Sequence, residues 1–262
     1  MDAPAKHLVA VASGKGGVGK STVSLNVAVA LAQAGRSVAL LDADVYGPDI
    51  PVMVGLTRRE AATSWSLWRR GQQSLDPVER FGIKLMSVGF LLGEQQGFPW
   101  MEQTLPFAVR QLVFDVDWGA PDVLVLDLPP GTTELQRHVL EEVHLTGAVV
   151  VVTPQDVAHL DAKKLVSLLA EHEVPVLGAV ENMSAFVCPH CGEETEVFPR
   201  VRDERSIWAL GVERLAQIPL DPRVARAGED GTPAVIAAPD SASAAAFRTA
   251  AEALAARLGS RG

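Results

Sequence analysis

Residues 13–22 read SGKGGVGKST, and the fold turns on how that stretch is parsed. Gly14-Lys15-Gly16-Gly17-Val18-Gly19 satisfies G-x-G-x-x-G, the fingerprint of a dinucleotide-binding turn, and Asp42 follows at roughly the spacing of its ribose-binding acid. The same residues complete G-x-x-x-x-G-K-S/T with Gly19, Lys20 and Ser21. A hydride-transfer cofactor has no need of a lysine and a metal-ligating hydroxyl there, so the phosphate-loop reading prevails. Glycines let successive backbone N–H groups turn inward at the positive end of a helix. Lys20 then neutralises β- and γ-phosphates, the Ser21 hydroxyl ligates Mg²⁺, and Gly14 to Thr22 as a whole cradle the ATP phosphates.

Outward from the loop, apolar runs at 7–14, 37–44, 83–89, 122–131, 148–155 and 174–183 read as strands. They lack polar alternation, as expected of parallel strands covered on both faces. Helical patterns follow the loop at 20–35 and recur at 161–173 and 243–259. This alternation predicts an α/β fold, a doubly wound and mostly parallel sheet of the P-loop NTPase kind. There is no internal repeat, long linker or composition break, so a single domain over 1–262 with no extra N-terminal domain is expected. Insertions at 55–82 and 90–104 interrupt the pattern, and such loops are where ligands are met in these sheets.

Two of the apolar runs end in acids. LLDAD supplies Asp42 and Asp44, and LVLDLPPG supplies Asp127. One such carboxylate could simply cap a loop, but three beside one phosphate loop suit magnesium and water. Asp127 fits the Walker-B role. Asp44 is expected to orient the attacking water, with Asp42 assisting the metal shell.

The bulk numbers exclude other classes. The formal charge of −9 disfavours a non-specific nucleic-acid binder. The Arg- and Trp-containing stretch at 58–71 is the one local exception, and an exposed loop anchored by tryptophans explains it. No apolar run is long enough to cross a bilayer, and the N-terminus lacks a signal-peptide layout, so a cytoplasmic location with no membrane or nucleic-acid partner is expected.

The chain has two cysteines, Cys188 and Cys191, in VCPHCGE. A reducing compartment makes a structural disulfide unsuitable. Cys-Pro-x-Cys-Gly is a common zinc-knuckle shape, with His190 as a further ligand, and two such pairs suit either tetrahedral zinc or an iron–sulfur cubane. A thioredoxin-like pair fits less well, because the motif opens no recognisable helix.

GKGGVGKST resembles the deviant Walker A motif of the signature-lysine ATPases, the group of MinD, ParA and the nitrogenase iron protein. Together with DADVYGPDIP (42–51), DLPPGT (127–132), VTPQDVA (152–158), VPVLGAVENMSAFVCPHCG (174–192) and IPLDP (218–222), it resembles the Mrp/ApbC class of iron–sulfur carrier ATPases over about residues 7–235. The resemblance implies a homodimer in which Lys15 reaches the partner's nucleotide, with Asn182 and Pro219–Asp221 near the adenine. It implies that Cys188 and Cys191 meet their symmetry mates to hold a bridging [4Fe-4S] cluster, delivered to apo iron–sulfur proteins. With this context the cluster is favoured over zinc.

The chain departs from the class at Gly131-Thr132-Thr133-Glu134, where Gly-Thr-Gly-Asp is common, at 100–103, and at PRVRDERSIWALG (199–211), which stands where a glycine-rich stretch is usual. These departures bear on partner choice. Two rivals stay open: a MinD- or ParA-like positioning ATPase, and an ATPase with a structural zinc knuckle. The positioning role has no use for paired cysteines. The C-terminal run FRTAAEALAARLG, with Phe247, Leu254 and Leu258 as its large apolar residues, reads as a packing helix and not a membrane-surface one.

Overall fold

The computed structural model describes residues 3–56, 75–91, 105–188 and 190–260. The arginine- and tryptophan-containing stretch at 58–71 and the departure at 100–103 lie outside them. The strands are β1 His7–Ala12, β2 Val38–Asp42, β3 Val78–Arg80, β4 Ile83–Ser87, β5 Val123–Asp127, β6 Gly147–Val152, β7 Val176–Val187, β8 Glu194–Thr195 and β9 Arg214–Leu220. They form one sheet in the order β3-β4-β2-β5-β1-β6-β7-β8, with β9 also paired to β7. The interior is parallel, and only β3 and β8 run antiparallel. Both are short and polar, which blunts edges that would otherwise template aggregation.

The helices are α1 Lys20–Gln33, α2 Ile50–Met53, α3 Leu105–Phe114, α4 Glu134–Glu142, α5 Asp156–Glu171, α6 Pro222–Glu229, α7 Ala234–Ala237 and α8 Ala242–Gly259. Every residue of β1, β2, β5 and β6 is buried, which is why their runs are continuously apolar. α1 packs on the sheet beside α8, which also touches β9, and buries most of its length. α8 is a packing helix, as expected: Phe247, Leu254 and Leu258 are all in the core.

Strand order positions the site. β1 sits between β5 and β6, so crossovers leave in opposite directions at its carboxyl end, and the crevice there is the usual ligand position of an open α/β sheet. The phosphate loop occupies that end. Asp42 and Asp127 are register partners on β2 and β5, which puts two carboxylates side by side at the same edge.

β7 runs farther than the sequence suggested. Met183 adopts φ 55°, in the left-handed region, and the register against β9 shifts between Asn182 and Phe186. The chain then continues through Val187 and turns back into β8, so the cysteines form the tip of a hairpin.

Both described departures build ordinary structure. The Thr133 side chain caps α4 by accepting from the Gln136 N–H at 3.3 Å, and Glu134 stands exposed in the first turn, where a carboxylate suits the helix dipole. The 199–211 segment docks on α5. Ile207 N–H donates to His159 Nδ1 at 3.2 Å, and Trp208 stacks under the Arg214 guanidinium at 4.4 Å. Burial, foremost, lowers the His159 pKa, since a charged ring there would be desolvated and would lose its acceptor nitrogen.

Candidate functional site

The phosphate loop is shaped by what crowds it. A side chain at Gly14 would collide with the backbone of Asp161 on α5, so only glycine lets the loop lie against that helix. Gly19 has φ 80° at the start of α1, a conformation that costs other L-residues, and a Cβ there would strike the Asn182 amide. Asn182 Nδ2 donates to Val18 O at 2.8 Å, which ties β7 to the loop.

A cavity of about 500 Å³ opens over the loop. Lys15, Gly16, Gly17, Gly19, Lys20, Ser21 and Thr22 line it, together with Asp44 and Tyr46. A second cavity of about 400 Å³ adjoins it and is lined mainly by apolar groups, including Val52, Ile218, Pro219 and Leu220, together with Asn182 and Asp221. A polar chamber joined to an apolar one fits a phosphorylated ligand with a flat ring at its far end.

Lys20 is 6% exposed. Its Nζ lies 2.9 Å from Asp127, 3.6 Å from Asp44 and 3.2 Å from the Ser21 hydroxyl. Burial pulls the ammonium's pKa down, but the carboxylates of Asp127, Asp44 and Asp42 outweigh it and the net shift is upward, so Lys20 is charged. Asp127 is fully buried and accepts a 2.6 Å hydrogen bond from the Ser24 hydroxyl, one helical turn beyond Lys20. Ser24 was not singled out in the sequence. Its signal is a polar residue at i+4 from the loop lysine, on the buried face of an otherwise apolar helix.

Asp44 accepts from the Tyr46 and Gly47 N–H groups, both at 3.3 Å, and faces the phosphate cavity. Burial raises its pKa against the pull of Lys20. Asp42 is placed differently. Ser87 Oγ donates to one of its oxygens at 2.8 Å and Asp44 N–H to the other at 3.2 Å, and it is not on the cavity wall. Burial and the neighbouring Asp127 push its carboxyl well above the ordinary range. The expected metal-shell role for Asp42 thus meets a carboxylate already committed to Ser87 and Asp44. Ser87 lies 45 positions away from Asp42, and nothing local in the sequence announces it.

Lys15 lines the phosphate cavity, and among the described residues its ammonium has no hydrogen-bond or ion-pair partner. Asp221 lines the apolar chamber while capping α6 through the Arg223 N–H at 2.9 Å and pairing with the Arg223 guanidinium at 2.8 Å. Pro219 O accepts from Ser243 Oγ at 3.2 Å.

Both cysteines are free thiols, Cys188 half-buried and Cys191 exposed. Cys188 N–H donates to Glu193 O, and Gly192 N–H to Cys188 O, each at 2.9 Å, closing the hairpin tip. The N–H groups of Cys191 and His190, then the Cys191 thiol, turn toward the Cys188 sulfur and hold its pKa below the ordinary thiol value. Such donors favour a thiolate, the form that ligates metal. Among the described residues no three of His, Cys, Asp and Glu are grouped to hold a metal ion, so His190 does not complete a site with the two cysteines. Cys188 also walls a small cavity of about 190 Å³ with Leu220 and Asp221, the latter two shared with the apolar chamber. No described helix is long and apolar enough to cross a membrane.

Comparison with known proteins agrees with this architecture. The profile of the NUBPL iron-transfer P-loop NTPases, within the ParA group, matches residues 4–255. An iron-sulfur cluster carrier protein of Aquifex aeolicus is 46% identical over 250 residues, covering 95% of this chain and 67% of that one. The Arabidopsis thaliana iron-sulfur protein required for NADH dehydrogenase, mitochondrial, is 40% identical over 237 residues, covering 90% and 74%. A nucleotide-binding protein of Archaeoglobus fulgidus, solved with ADP, superposes with a TM-score of 0.73 at 36% identity over 87% of each chain. MinD of Pyrococcus horikoshii, solved with Mg-ADP, has the same fold with a TM-score of 0.73 at 22% identity, covering 98% of each chain. The chain belongs to the NUBPL iron-transfer family of P-loop NTPases, whose curated members include iron–sulfur cluster carrier proteins.

Proposed function

We propose that this chain is a homodimeric, cytoplasmic ATPase that assembles a [4Fe-4S] cluster and passes it to apo iron–sulfur proteins. The observation that carries the reading is the Cys188–Cys191 hairpin: two free thiols, the Cys188 pKa held below its ordinary value by neighbouring N–H groups, and no third ligand grouped with them among the described residues. A cubane cluster takes four thiolates. A two-fold axis that brings two identical hairpins together supplies them.

ATP is the proposed ligand of the joined cavities, its phosphates on Gly14–Thr22 and its adenine beside Asn182, Pro219 and Asp221. The residues suit Mg²⁺, which prefers oxygen donors and keeps several waters: the Ser21 hydroxyl and the Asp127 carboxylate lie together at the loop. Magnesium would neutralise charge on the transferring phosphoryl group. Phosphate binding draws Lys20 away from Asp127 and frees that carboxylate. Asp44 orients the attacking water, and Lys15 reaches the nucleotide of the partner. Slow hydrolysis then biases the dimer between two arrangements that hold the cargo differently, which requires different ATP affinity in each.

Delivery is tested by mixing the cluster-loaded protein with an apo [4Fe-4S] enzyme under an iron chelator. Recovery of the recipient's activity despite the chelator is expected. Recovery abolished by the chelator would mean release into solution, not transfer. One observation favours a second reading: the cysteines sit at a hairpin tip of zinc-knuckle form, so a structural zinc that staples two copies is the rival.

A further inference from the structure

The two joined chambers share five residues: Gly19, Thr22, Asp49, Met53 and Met183. A nucleotide with phosphates in one chamber and base in the other must lay its sugar across this seam. Gly19 offers no side chain there, and Met53 and Met183 offer only apolar surface. Asp49 is the one charged residue common to both chambers. Asp44 belongs to the phosphate side alone, and Asp221 and Glu229 to the apolar side alone.

Asp49 is also uncommitted. It stands immediately before α2, a position from which an aspartate usually bonds the first backbone N–H groups, yet its side chain makes no capping bond. Thr133, Asp221 and Ser241 all cap the helices they precede. No hydrogen bond or ion pair engages the Asp49 carboxylate among the described residues. Asp49 stands exposed at the seam, and partial burial of its carboxyl raises its pKa against the pull of Lys20, so it is open to a ligand that enters there. Beside a triphosphate alone a carboxylate would be a repulsive neighbour. It becomes favourable against a cation or a hydrogen-bond donor, and at the sugar position the donors are the vicinal hydroxyls of a ribose, which a carboxylate can accept in pairs.

We propose that Asp49 recognises the 2′- and 3′-hydroxyls of the bound nucleotide and makes this site selective for ribonucleotides over deoxyribonucleotides. The proposal rests on the nucleotide-binding reading above.

The test is calorimetric titration of the full chain with ADP, 2′-deoxy-ADP, 3′-deoxy-ADP and inorganic tripolyphosphate, each with Mg²⁺. The parent is expected to bind ADP about tenfold more tightly than either deoxy form, the scale of a lost hydrogen bond to a charged group. Asp49→Ala should bring that ratio to about twofold or less while binding tripolyphosphate no more weakly than the parent. Asp49→Asn, which keeps the volume, guards against a folding defect and should also lower the ratio. Equal binding of ADP and both deoxy forms by the parent overturns the ribose assignment and leaves the nucleotide site standing. An equal loss of ADP and tripolyphosphate in Asp49→Ala overturns it too, since the residue would then act on phosphate or metal. Failure of the parent to bind any of the four ligands removes the nucleotide reading and this proposal together.

Discussion

The Lys20 ammonium lies 2.9 Å from the Asp127 carboxylate, and both are almost wholly withdrawn from water. The loop lysine and the acid proposed to serve the metal are therefore ion-pair partners. On the proposed nucleotide reading, a phosphate competes for the lysine and its success frees the acid. Binding and metal recruitment would then be linked through one ion pair.

Removing half of this pair should be costly. Lys20→Ala leaves Asp127 buried with Ser24 alone, and a loss of about 3 kcal/mol in stability is expected, together with a fall in ATP affinity of about 100-fold or more. Lys20→Ala combined with Asp127→Asn should recover much of the stability and none of the affinity. Urea titration and calorimetry separate the two. Retained ATP affinity in the single variant would sink the phosphate-loop assignment.

Ser24→Ala removes a 2.6 Å hydrogen bond to the buried Asp127. A hydrogen bond to a charged group is worth about 1.5–3 kcal/mol, and a destabilisation in that range is expected by urea denaturation. A change below about 0.5 kcal/mol would mean that Asp127 does not depend on this hydroxyl.

What could be read beforehand follows how locally each feature is encoded. The phosphate loop, Asp127 and the cysteine pair are short spacings, legible without the fold. Buried parallel strands betray themselves as unbroken apolar runs. β9 was missed because RLAQIPL mixes exposed and buried positions at the sheet's margin. Ser24 and Ser87 were missed because their partners are 103 and 45 positions away. α5 was expected to begin near 161 but starts at Asp156, because the apolar run at 148–155 masks where the strand stops.

The dock of the 199–211 segment on α5 should be sensitive to acid. The His159 pKa is lowered on folding, so the stability it contributes is complete above the unfolded value near 6.5 and declines as pH falls below it, because the unfolded chain binds the proton more readily. Denaturation at pH 7.5 and 5.5 should show a decline that His159→Gln reduces. An identical decline in the variant would place the titration elsewhere.

Cys188 should alkylate with a midpoint below the ordinary thiol value of about 8.5, because the N–H groups of Cys191 and His190 favour its thiolate. Peptide mapping after iodoacetamide treatment across a pH series gives that midpoint. A value at or above 8.5 would mean that the hairpin tip does not hold these donors in solution.

The most direct test is iron, sulfide and zinc content per dimer after anaerobic purification and reconstitution, with Cys191→Ala as the control. Four irons and four sulfides per dimer, lost in the variant, are predicted. Zinc alone, with no cluster formed on reconstitution, would contradict the carrier account and leave a metal-stapled ATPase in its place.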